Sequence, residues 1–408
     1  MLCALVMAGG KGERFWPLST DDKPKQFLNL LGNDTMIQMT VKRLEGLIPI
    51  ERIFIVTAER YVGLVKEQLP NLPEENIIVE PVGRNTAPCI ALSAFYINKK
   101  IENATIAVLP SDHLIKDEEK FREVLKCGYD FVNKNQDAIV TLGMKPDRPE
   151  TGYGYIKRMH EVEIINNNTV NKVECFVEKP NKETAEEYLK EGTYLWNGGM
   201  FIWKASTILK CTNQYLPETF EVLAEIAVSE EDFEKVLKQK YEEVENISVD
   251  YGIMEKSNDI YVIPCDFGWD DVGSWTSLER YRQKDEMGNV ANQSCVARDS
   301  KGNIIMSNKK IILNGVEDII VVETDDYIMI SSKEKAQEIK EIKKLVVWGV
   351  VVNIALIHDW LTNMGGAERV VINFKQLFPE APIYTTIYNP DKLDDELKNI
   401  DVRTSFLQ

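Results

Sequence analysis

An apolar run, Leu2-Cys3-Ala4-Leu5-Val6-Met7, is followed directly by the glycine-rich stretch Ala8-Gly9-Gly10-Lys11-Gly12. The run has no alternating polar residues, which predicts a strand buried on both faces, as in a parallel sheet. Glycines after such a strand let the backbone turn sharply and point several N–H groups at one anion. Similar spacings also occur in strand-to-helix turns that only pack closely, so the glycines alone leave phosphate binding undecided.

Basic residues around this turn favour phosphate binding. Lys11, Arg14, Lys23 and Lys25 lie close together in a chain that has 65 acidic and 48 basic residues and a net charge of −17. We interpret them as local compensation for a polyphosphate. The stretch has no Gly-Lys-Ser/Thr, and Arg14 and Phe15 stand where a dinucleotide-binding turn needs its third glycine. A P-loop ATPase and a nicotinamide enzyme are therefore both disfavoured.

The stretch from Gly9 to Ser19, followed by Lys23-Pro24-Lys25-Gln26-Phe27, resembles the signature of sugar-1-phosphate nucleotidyltransferases, most closely that of mannose-1-phosphate guanylyltransferases. The resemblance implies a Rossmann-like, mostly parallel α/β sheet of the GT-A-like kind, in which this loop holds a nucleoside triphosphate. By motif position, Arg14 and Lys25 would neutralise the phosphates during catalysis. The other nucleotide-binding residues that it implies in this loop are Ala8, Gly9, Gly10, Lys11 and Gly12.

Composition bounds the class of protein. With 408 residues and 44% hydrophobic content, the chain suits one large soluble domain with one or two additions. Seven cysteines without a CxxC pair predict reduced thiols and a cytoplasmic setting. The first residues lack a basic leader, and the apolar run from Leu345 to Ile357 falls short of the roughly 18 residues that a membrane span needs. The acidity argues against nucleic acid as a partner.

Short β-branched runs alternate with helical periodicity in the first third of the chain. Strands are expected at 53–56, 77–79 and 104–109, and helices at 35–47, 61–69 and 85–99. This alternation predicts a mostly parallel sheet with helices on both faces, in which ligands bind at the carboxyl ends of the strands. The loops after those strands are therefore the candidate site.

The loop from Glu80 to Pro88 follows the strand at 77–79, and Asn85 or Thr86 is placed to cap the next helix. A carboxylate at a strand end, here Glu80, can accept hydrogen bonds from guanine N1–H and the exocyclic amine, a donor pair that adenine lacks. The loop resembles its guanylyltransferase counterpart, which implies GTP as the nucleotide. The further nucleotide-binding residues predicted in this loop and the next are Gly83, Asn85 and Ser111.

Asp112 follows the strand at 104–109, where a carboxylate can either cap the next segment or bind metal. Mg²⁺ prefers one or two carboxylates together with phosphate oxygens, so a second aspartate is expected elsewhere. Asp270 and Asp271 are the candidates, and neighbouring strand residues point to opposite faces, so one of them would face the site. The family's Asp-x-Gly element implies Asp271 as the Mg²⁺ ligand and leaves Asp270 structural. His113 is also expected to be structural, because Mg²⁺ prefers oxygen.

Three stretches between these aspartates resemble the family's sugar-phosphate pocket, namely Thr151–Ile156, Phe176–Pro180 and Trp196–Phe201. Without the resemblance, their glycines would be interpreted as ordinary bulges or turns. The resemblance implies that Gly154 contacts the sugar through its backbone. Glu178 and Asn197 would hold hydroxyls, and Lys179 would hold the phosphate. A further family element, Ser248–Lys256, is given no role, because its pattern equally suits a capped helix.

Short β-rich pieces recur between Asn289 and Ser332 and predict a small β-helix-like domain. They lie at 295–297, 304–306, 311–313, 319–322 and 327–330. A charged helix is expected at 333–344. We therefore predict a catalytic domain over 1–280, a left-handed β-helix-like domain with its helix over 289–344, and a tail over 345–408. In the family such a β-helix piece helps to form dimers, which implies a homodimer.

The tail is an anomaly for this family. Residues 353–361 and 365–369 resemble the first strand–helix unit of a GT-B glycosyltransferase of the retaining, family-four type. The nucleotide-sugar half of such an enzyme is not recognised, so we expect no glycosyltransferase activity from the tail. No C-terminal cupin is recognised either, so a fused isomerase activity is not expected.

The expected reaction is GTP plus α-D-mannose 1-phosphate giving GDP-mannose and diphosphate, with Mg²⁺ as cofactor. Three alternatives stay open, and in one of them the tail dominates and the chain is a membrane-surface glycosyltransferase partner. The same fold could serve another nucleotide and sugar phosphate, although the loop from Gly83 to Pro88 weighs against this. A nucleotide sensor without chemistry is the alternative from another class, and it is disfavoured because a sensor needs no second carboxylate.

Overall fold

A nine-stranded sheet organises the first of two compact units, Met1–Lys340 and Glu341–Gln408. The computed structural model describes residues 1–10, 12–229, 232–292, 295–347, 355–379, 381–398 and 400–404. Nine of the first ten described strands form this sheet, and β5 lies outside it. The ten strands are β1 (Leu2–Met7), β2 (Ile53–Ala58), β3 (Ile77–Glu80), β4 (Thr105–Pro110), β5 (Leu114–Ile115), β6 (Ile139–Met144), β7 (Tyr155–Ile165), β8 (Asn168–Val177), β9 (Tyr194–Lys204) and β10 (Ile260–Cys265).

The sheet runs in the order β3-β2-β1-β4-β9-β6-β10-β8-β7. Strands β1 to β4 pair in parallel, as do β6 and β10, whereas β9 runs against both β4 and β6. Strands β1, β2, β3, β4, β6 and β10 therefore point the same way, and their carboxyl ends share one edge of the sheet. The mostly parallel α/β sheet predicted from the sequence is confirmed, and so are the expected strands of the first third.

Helices flank the sheet in the first unit. They are α1 (Met36–Lys42), α2 (Val62–Gln68), α3 (Thr86–Lys100), α4 (Glu118–Lys134), α5 (Lys182–Glu191), α6 (Ala205–Tyr215), α7 (Pro217–Val228), α8 (Phe233–Lys240) and α9 (Val249–Gly252). The first helix is shorter than the predicted 35–47. It gives way to turns in which Leu44 and Glu45 donate to the carbonyls three residues earlier, and Gly46 then adopts a left-handed φ of 84° that ends any helical continuation.

Apolar layers cover both faces of the sheet. Along β1, Ala4 and Val6 pack into one layer while Cys3 and Leu5 pack into the other, because successive side chains of a strand point to opposite faces. Burying an apolar side chain fully stabilises a fold by about 1.5–3 kcal/mol for residues the size of valine and leucine. The uninterrupted apolar run of β1 is thus explained by burial on both sides, and it fixes where the glycine-rich loop begins.

Short strands dominate residues 269–332. They are β11 (Trp269–Asp270), which pairs with β5, and then β12 (Val290–Ala291), β13 (Cys295–Arg298), β14 (Ile304–Met306), β15 (Ile311–Asn314), β16 (Ile319–Glu323) and β17 (Ile328–Ser332). Strands β12, β14 and β16 stack in parallel, and β13 pairs in parallel with β15. Two buried asparagines line up across these coils: Asn303 N–H donates to Asn289 Oδ1 (2.9 Å), and Ile319 N–H donates to Asn303 Oδ1 (3.1 Å). The predicted β-helix-like architecture is confirmed.

The charged segment after β17 differs from the single helix predicted at 333–344. It begins as a 3₁₀ helix, Lys333–Glu338, and continues as α10, Ile339–Val347. Ala336 and Ile339 are its buried side chains, at 4% and 0% exposure. Residues three positions apart lie on the same side of a 3₁₀ helix and of an α-helix, so this spacing places both side chains on one face of the segment.

The second unit contains a small parallel sheet. Its elements are β18 (Leu356–Leu361), α11 (Gly366–Leu377), β19 (Ile383–Tyr388) and β20 (Val402–Thr404). The strands pair in parallel in the order β18-β19-β20 around a core that includes Leu361, Ile383 and Leu397. Within the described parts of the whole chain, no helix has the length and apolarity needed to cross a bilayer.

Candidate active site

The glycine-rich loop after β1 is held against the segment that carries Lys25. Gly12 adopts a left-handed φ of 55°, and a Cβ placed on it would lie 2.5 Å from Cβ of Lys25, so only glycine fits there. Gln26 donates from Nε2 to the carbonyl oxygens of Ala8 and Gly10, both at 2.9 Å. Gln26 lies in the Lys23–Phe27 motif, but the sequence does not indicate its contacts with the loop carbonyls. Lys11 lies outside the described residues.

Lys25 brings together residues that are far apart in the chain. Its Nζ donates to Asp112 Oδ2 at 2.7 Å and to the backbone oxygen of Asp271 at 2.5 Å. Lys25 is only 5% exposed, so its ammonium is largely removed from water. Burial raises the pKa of Asp112, but the charges of Lys25 and His113 and the hydrogen bond from Lys25 outweigh it and leave that pKa below its ordinary value. The carboxylate is therefore ionised at neutral pH.

Asp271 is also held by a tyrosine, Tyr153, for which the sequence indicates no role. The hydroxyl of Tyr153 donates to Asp271 Oδ1 at 2.6 Å, and its ring packs edge-on against Trp196 and Trp269 at 5.3 and 5.2 Å. Burial, and then the neighbouring Asp271 charge, raise the pKa of Tyr153 far above its ordinary value, so it stays a donor. Tyr153 lies within the stretch predicted for the sugar phosphate, directly before Gly154.

Asp270, which the sequence predicts to be structural, points into packed protein. It is 2% exposed and accepts hydrogen bonds from Val272 N–H at 2.7 Å and from the Tyr281 hydroxyl at 2.6 Å, and it pairs with Arg280 at 2.8 Å. The side chain of His113 is 14% exposed, and its Nδ1 accepts a hydrogen bond from Trp269 Nε1 at 3.1 Å.

Two neighbouring cavities meet at Asp271. The first, here called the loop cavity, has a volume of ≈ 400 Å³ and is lined by Gly12, Glu13, Arg14, Phe15, Lys25, Asp112, His113, Asp271, Gly273 and Lys340. The second, here called the tyrosine cavity, has a volume of ≈ 460 Å³ and shares Arg14, Asp271 and Gly273 with the first. Both predicted catalytic cations and both predicted metal aspartates therefore border one space.

The donor set of the loop cavity suits a divalent cation that shares its coordination with a ligand. Asp112 and Asp271 each supply a carboxylate, and Mg²⁺ commonly binds through one or two carboxylates plus phosphate oxygens. Among the residues that the structure describes, no cluster of three or more His, Cys, Asp and Glu side chains is arranged to hold a metal. A metal here would depend on the bound substrate for its remaining ligands.

Glu80 lies beside the glycine-rich loop. It is 7% exposed, and its Oε1 accepts hydrogen bonds from the hydroxyl of Tyr241 at 2.7 Å and from Arg84 N–H at 3.3 Å. A Cβ placed on Gly9 would lie 3.8 Å from Oε2, so that second oxygen borders the loop. Burial raises the pKa of Glu80 above its ordinary value. The hydrogen bond from Tyr241 opposes this rise but does not cancel it. Sequence reasoning could not find Tyr241, which lies 161 residues away.

The other residues predicted for the nucleotide have structural contacts. Asn85 accepts from Thr86 N–H at 2.9 Å and caps α3, in a backbone conformation with φ 68° that is rare for any residue except glycine. Gly83 is exposed in the same loop. Ser111 is 3% exposed and donates from its backbone to the Met7 carbonyl, which ties the end of β4 to the end of β1.

The residues predicted for the sugar phosphate lie together. A Cβ placed on Gly154 would lie 2.6 Å from Glu178 Oε2, and Asn197 N–H donates to the Gly154 carbonyl at 2.8 Å. Lys179 is exposed and pairs with Glu178 at 2.6 Å. Asp250, from the element that was given no role, accepts a hydrogen bond from Asn197 Nδ2 at 2.8 Å, and burial raises its pKa.

Two family models match consecutive segments of the chain. Residues 3–288 match the nucleotidyl transferase model. Residues 293–345 match the model of the MannoseP isomerase/GMP-like beta-helix domain.

Curated relatives and a solved structure extend over most of the chain. A mannose-1-phosphate guanylyltransferase 2 of Escherichia coli O157:H7 is 39% identical over 356 residues, which cover 85% of this chain and 73% of that protein. A mannose-1-phosphate guanylyltransferase of Klebsiella pneumoniae is 38% identical over 84% of this chain and 73% of its own length. The crystal structure of a mannose-1-phosphate geranyltransferase from Thermus thermophilus superposes with a TM-score of 0.77 and 33% identity, over 85% of this chain and 99% of that one.

Proposed function

The chain belongs to the nucleotidyl transferase family, and we propose that it transfers a guanylyl group from GTP to α-D-mannose 1-phosphate, giving GDP-mannose and diphosphate. The convergence of Lys25, Asp112 and Asp271 in one cavity with Arg14 carries this proposal. The choice of GTP and mannose 1-phosphate is supported by the names of relatives that are 38–39% identical over more than four fifths of the chain.

The chemistry explains why cations rather than a general base are needed. The phosphate of a sugar 1-phosphate is an anion at neutral pH, so it can attack the α-phosphate of GTP without losing a proton to the protein. The barrier is repulsion between two anions and the charge that develops on the leaving diphosphate. Lys25 and Arg14 offset this charge, and a cation that is held in place before the reaction needs no reorganisation during it.

Mg²⁺ is proposed as the cofactor, held by Asp112 and Asp271. When bound, it would supply Lewis-acid stabilisation of charge on phosphate oxygens. Tyr153 fixes one oxygen of Asp271 through its hydroxyl, and Lys25 holds one oxygen of Asp112. These contacts orient both carboxylates before the substrates arrive.

Guanine selection is assigned to Glu80. Tyr241 and Arg84 hold its Oε1, while Oε2 borders Gly9 of the nucleotide loop. A carboxylate there can accept from guanine N1–H and the exocyclic amine. Gly83, Asn85 and Ser111 contribute by shaping the neighbouring turns.

The sugar phosphate is assigned to the cluster that follows Tyr153. Gly154 would contact the sugar through its backbone, and Glu178 and Asn197 would form hydrogen bonds with sugar hydroxyls. The exposed Lys179 can leave its ion pair with Glu178 and bind the phosphate. Gly154 directly follows Tyr153 in the chain, and the hydroxyl of Tyr153 donates a hydrogen bond to Asp271, which lines the loop cavity.

We also propose that the enzyme is a cytoplasmic homodimer with a catalytic domain over 1–280, a left-handed β-helix-like domain over 289–344 and a tail over 345–408. All seven cysteines are unpaired, which supports a reducing compartment. Val296 and Ile312 pair across β13 and β15 and are 65% and 79% exposed, which supports association through the β-helix. Light scattering would test the dimer.

The tail is assigned no transferase activity. A chain that ends after Lys344 should keep full nucleotidyl transfer, because the loop cavity lies wholly within Met1–Lys340. Glycosyl transfer from GDP-mannose by the full chain, lost in the shortened chain, would contradict this assignment.

The test of the function is product identification. The full chain is incubated with GTP, mannose 1-phosphate and MgCl₂, and the mixture is analysed by mass spectrometry. GDP-mannose should appear together with an equal amount of diphosphate, and a chelator should stop both. Consumption of GTP without GDP-mannose would indicate a hydrolase instead.

A further inference from the structure

We propose that Lys340, from the helix that follows the β-helix, binds the diphosphate end of the nucleoside triphosphate, an inference that rests on the proposed nucleotidyl transfer. Lys340 lines the loop cavity together with Arg14 and Lys25. The sequence predicts Lys340 to lie in a charged helix outside the catalytic domain and indicates no role for it.

A second residue of the same segment also borders the site. Gln337 lines the tyrosine cavity, which shares Arg14 and Asp271 with the loop cavity. Gln337 and Lys340 are three residues apart, at the junction of the 3₁₀ helix with α10. One short segment therefore faces both cavities.

This segment is fixed in position by packing and ion pairs. Ala336 and Ile339 are 4% and 0% exposed, and they alternate with Gln337 and Lys340. Lys333, at its start, pairs with Glu279 and lies 3.4 Å from Asp318. The backbone of residue 340 is thus anchored at the edge of the cavity, while its long side chain is exposed and able to reach a ligand.

The charges in the loop cavity indicate which part of the nucleotide Lys340 would contact. The ammonium of Lys25 is already shared between Asp112 and the Asp271 carbonyl, which leaves Arg14 and Lys340 as the other Lys and Arg side chains of the described lining to meet the several negative charges of a triphosphate. Charge-assisted hydrogen bonds from a second lysine would supply the missing compensation. The loop cavity is lined by Gly12 to Phe15, whereas Glu80 and the Gly154 cluster are not among its lining residues. This position assigns Lys340 to the phosphates rather than to the base or the sugar.

The experiment measures binding of inorganic diphosphate, with MgCl₂ present, by titration calorimetry on the full chain. Lys340→Ala should weaken diphosphate binding about tenfold, as expected for loss of one charged hydrogen bond, and Lys340→Arg should restore most of it. Lys335→Ala is the matched control, because Lys335 lies on the same segment but pairs with Glu338 at 2.7 Å. In steady-state kinetics, the KM for GTP should rise with Lys340→Ala while the KM for mannose 1-phosphate stays unchanged.

The outcomes separate this inference from the function on which it rests. Unchanged diphosphate affinity in Lys340→Ala, an equal loss in Lys335→Ala, or no diphosphate binding by the unaltered chain would each overturn the role of Lys340. Diphosphate binding that depends on Lys340, in a chain that makes no GDP-mannose, would uphold the phosphate site and reject guanylyl transfer.

Discussion

Nζ of Lys25 lies 2.7 Å from Oδ2 of Asp112, although the two residues are 87 positions apart in the chain. Asp112 follows the end of β4, and Lys25 follows the loop after β1, so the parallel pairing of these strands brings the ion pair together. The pair joins a cation suited to phosphate with a carboxylate suited to Mg²⁺. Its geometry depends on the loop glycines, on Gln26 and on the backbone of Asp271.

Lys25→Ala should reduce kcat by about 10²–10³, the usual cost of removing one preorganised donor from a developing charge. It should also raise the pKa of Asp112, because the positive charge that lowers it is lost. Steady-state kinetics and circular dichroism are the measurements. Lys99→Ala is the control, since Lys99 is exposed in the last turn of α3 and outside the loop cavity. Near-normal turnover in a folded Lys25→Ala enzyme would rule out its proposed role.

Asp271→Asn should mainly reduce activity, whereas Asp270→Asn should mainly reduce stability. The first should lower kcat by about 10²-fold, as for loss of charge stabilisation at the reacting phosphate, with little effect on melting temperature. The second removes charge from a buried network with Arg280 and Tyr281, and it should cost about 1–3 kcal/mol of stability. Thermal unfolding and the Mg²⁺ concentration for half-maximal activity distinguish them. Loss of kcat in Asp270→Asn and loss of stability in Asp271→Asn would contradict this prediction and would place Asp270 in the active site.

Glu80→Gln should reduce the preference for GTP over ATP in kcat/KM by about tenfold, because a charged acceptor for guanine is lost. Burial raises the pKa of Glu80 in the folded chain above the ordinary value of 4.5, which applies to the unfolded chain. The stability that Glu80 contributes is therefore complete below pH 4.5 and is lost as pH rises through the folded-state pKa. The melting temperature of Glu80→Gln relative to the parent should therefore increase with pH over that range. An unchanged GTP preference would remove Glu80 from base selection.

Gly12→Ala should nearly abolish activity. Its methyl group would lie 2.5 Å from Cβ and 2.7 Å from the backbone nitrogen of Lys25, and its φ of 55° disfavours a side chain. Gly63→Ala is the matched control, since a Cβ in that helical position meets no described atom within 4 Å. The assay is initial rate with saturating substrates. Equal activity of both variants would show that the loop need not lie against Lys25.

The sequence predicts the elements whose signals are local. Apolar runs locate β1 and β4, and the motif residues Lys25, Asp112 and Asp271 are recognised from short stretches. Contacts across long separations could not be predicted in this way, because no local pattern records which segments meet. Tyr241 reaches Glu80 from 161 positions away, and Tyr153 reaches Asp271 from 118.

The helix boundaries show the same limit on a smaller scale. The periodicity of residues 35–47 continues beyond Lys42, but Gly46 takes a left-handed conformation and the helix ends early. The charged segment at 333–344 has helical composition throughout, yet burial of Ala336 and Ile339 accompanies a 3₁₀ turn at its start. Periodicity records neither the backbone conformation of Gly46 nor which side chains become buried, so it predicts neither boundary.

The central claim is that this chain joins GTP to mannose 1-phosphate. The most direct measurement is the rate of diphosphate release with Mg²⁺, for GTP, ATP, UTP and dTTP, each with mannose 1-phosphate and with glucose 1-phosphate. Fast release with GTP and mannose 1-phosphate, and slow release with every other pair, is the predicted result. Faster release with another pair would contradict the assigned specificity, and no release with any pair from folded protein would contradict nucleotidyl transfer itself.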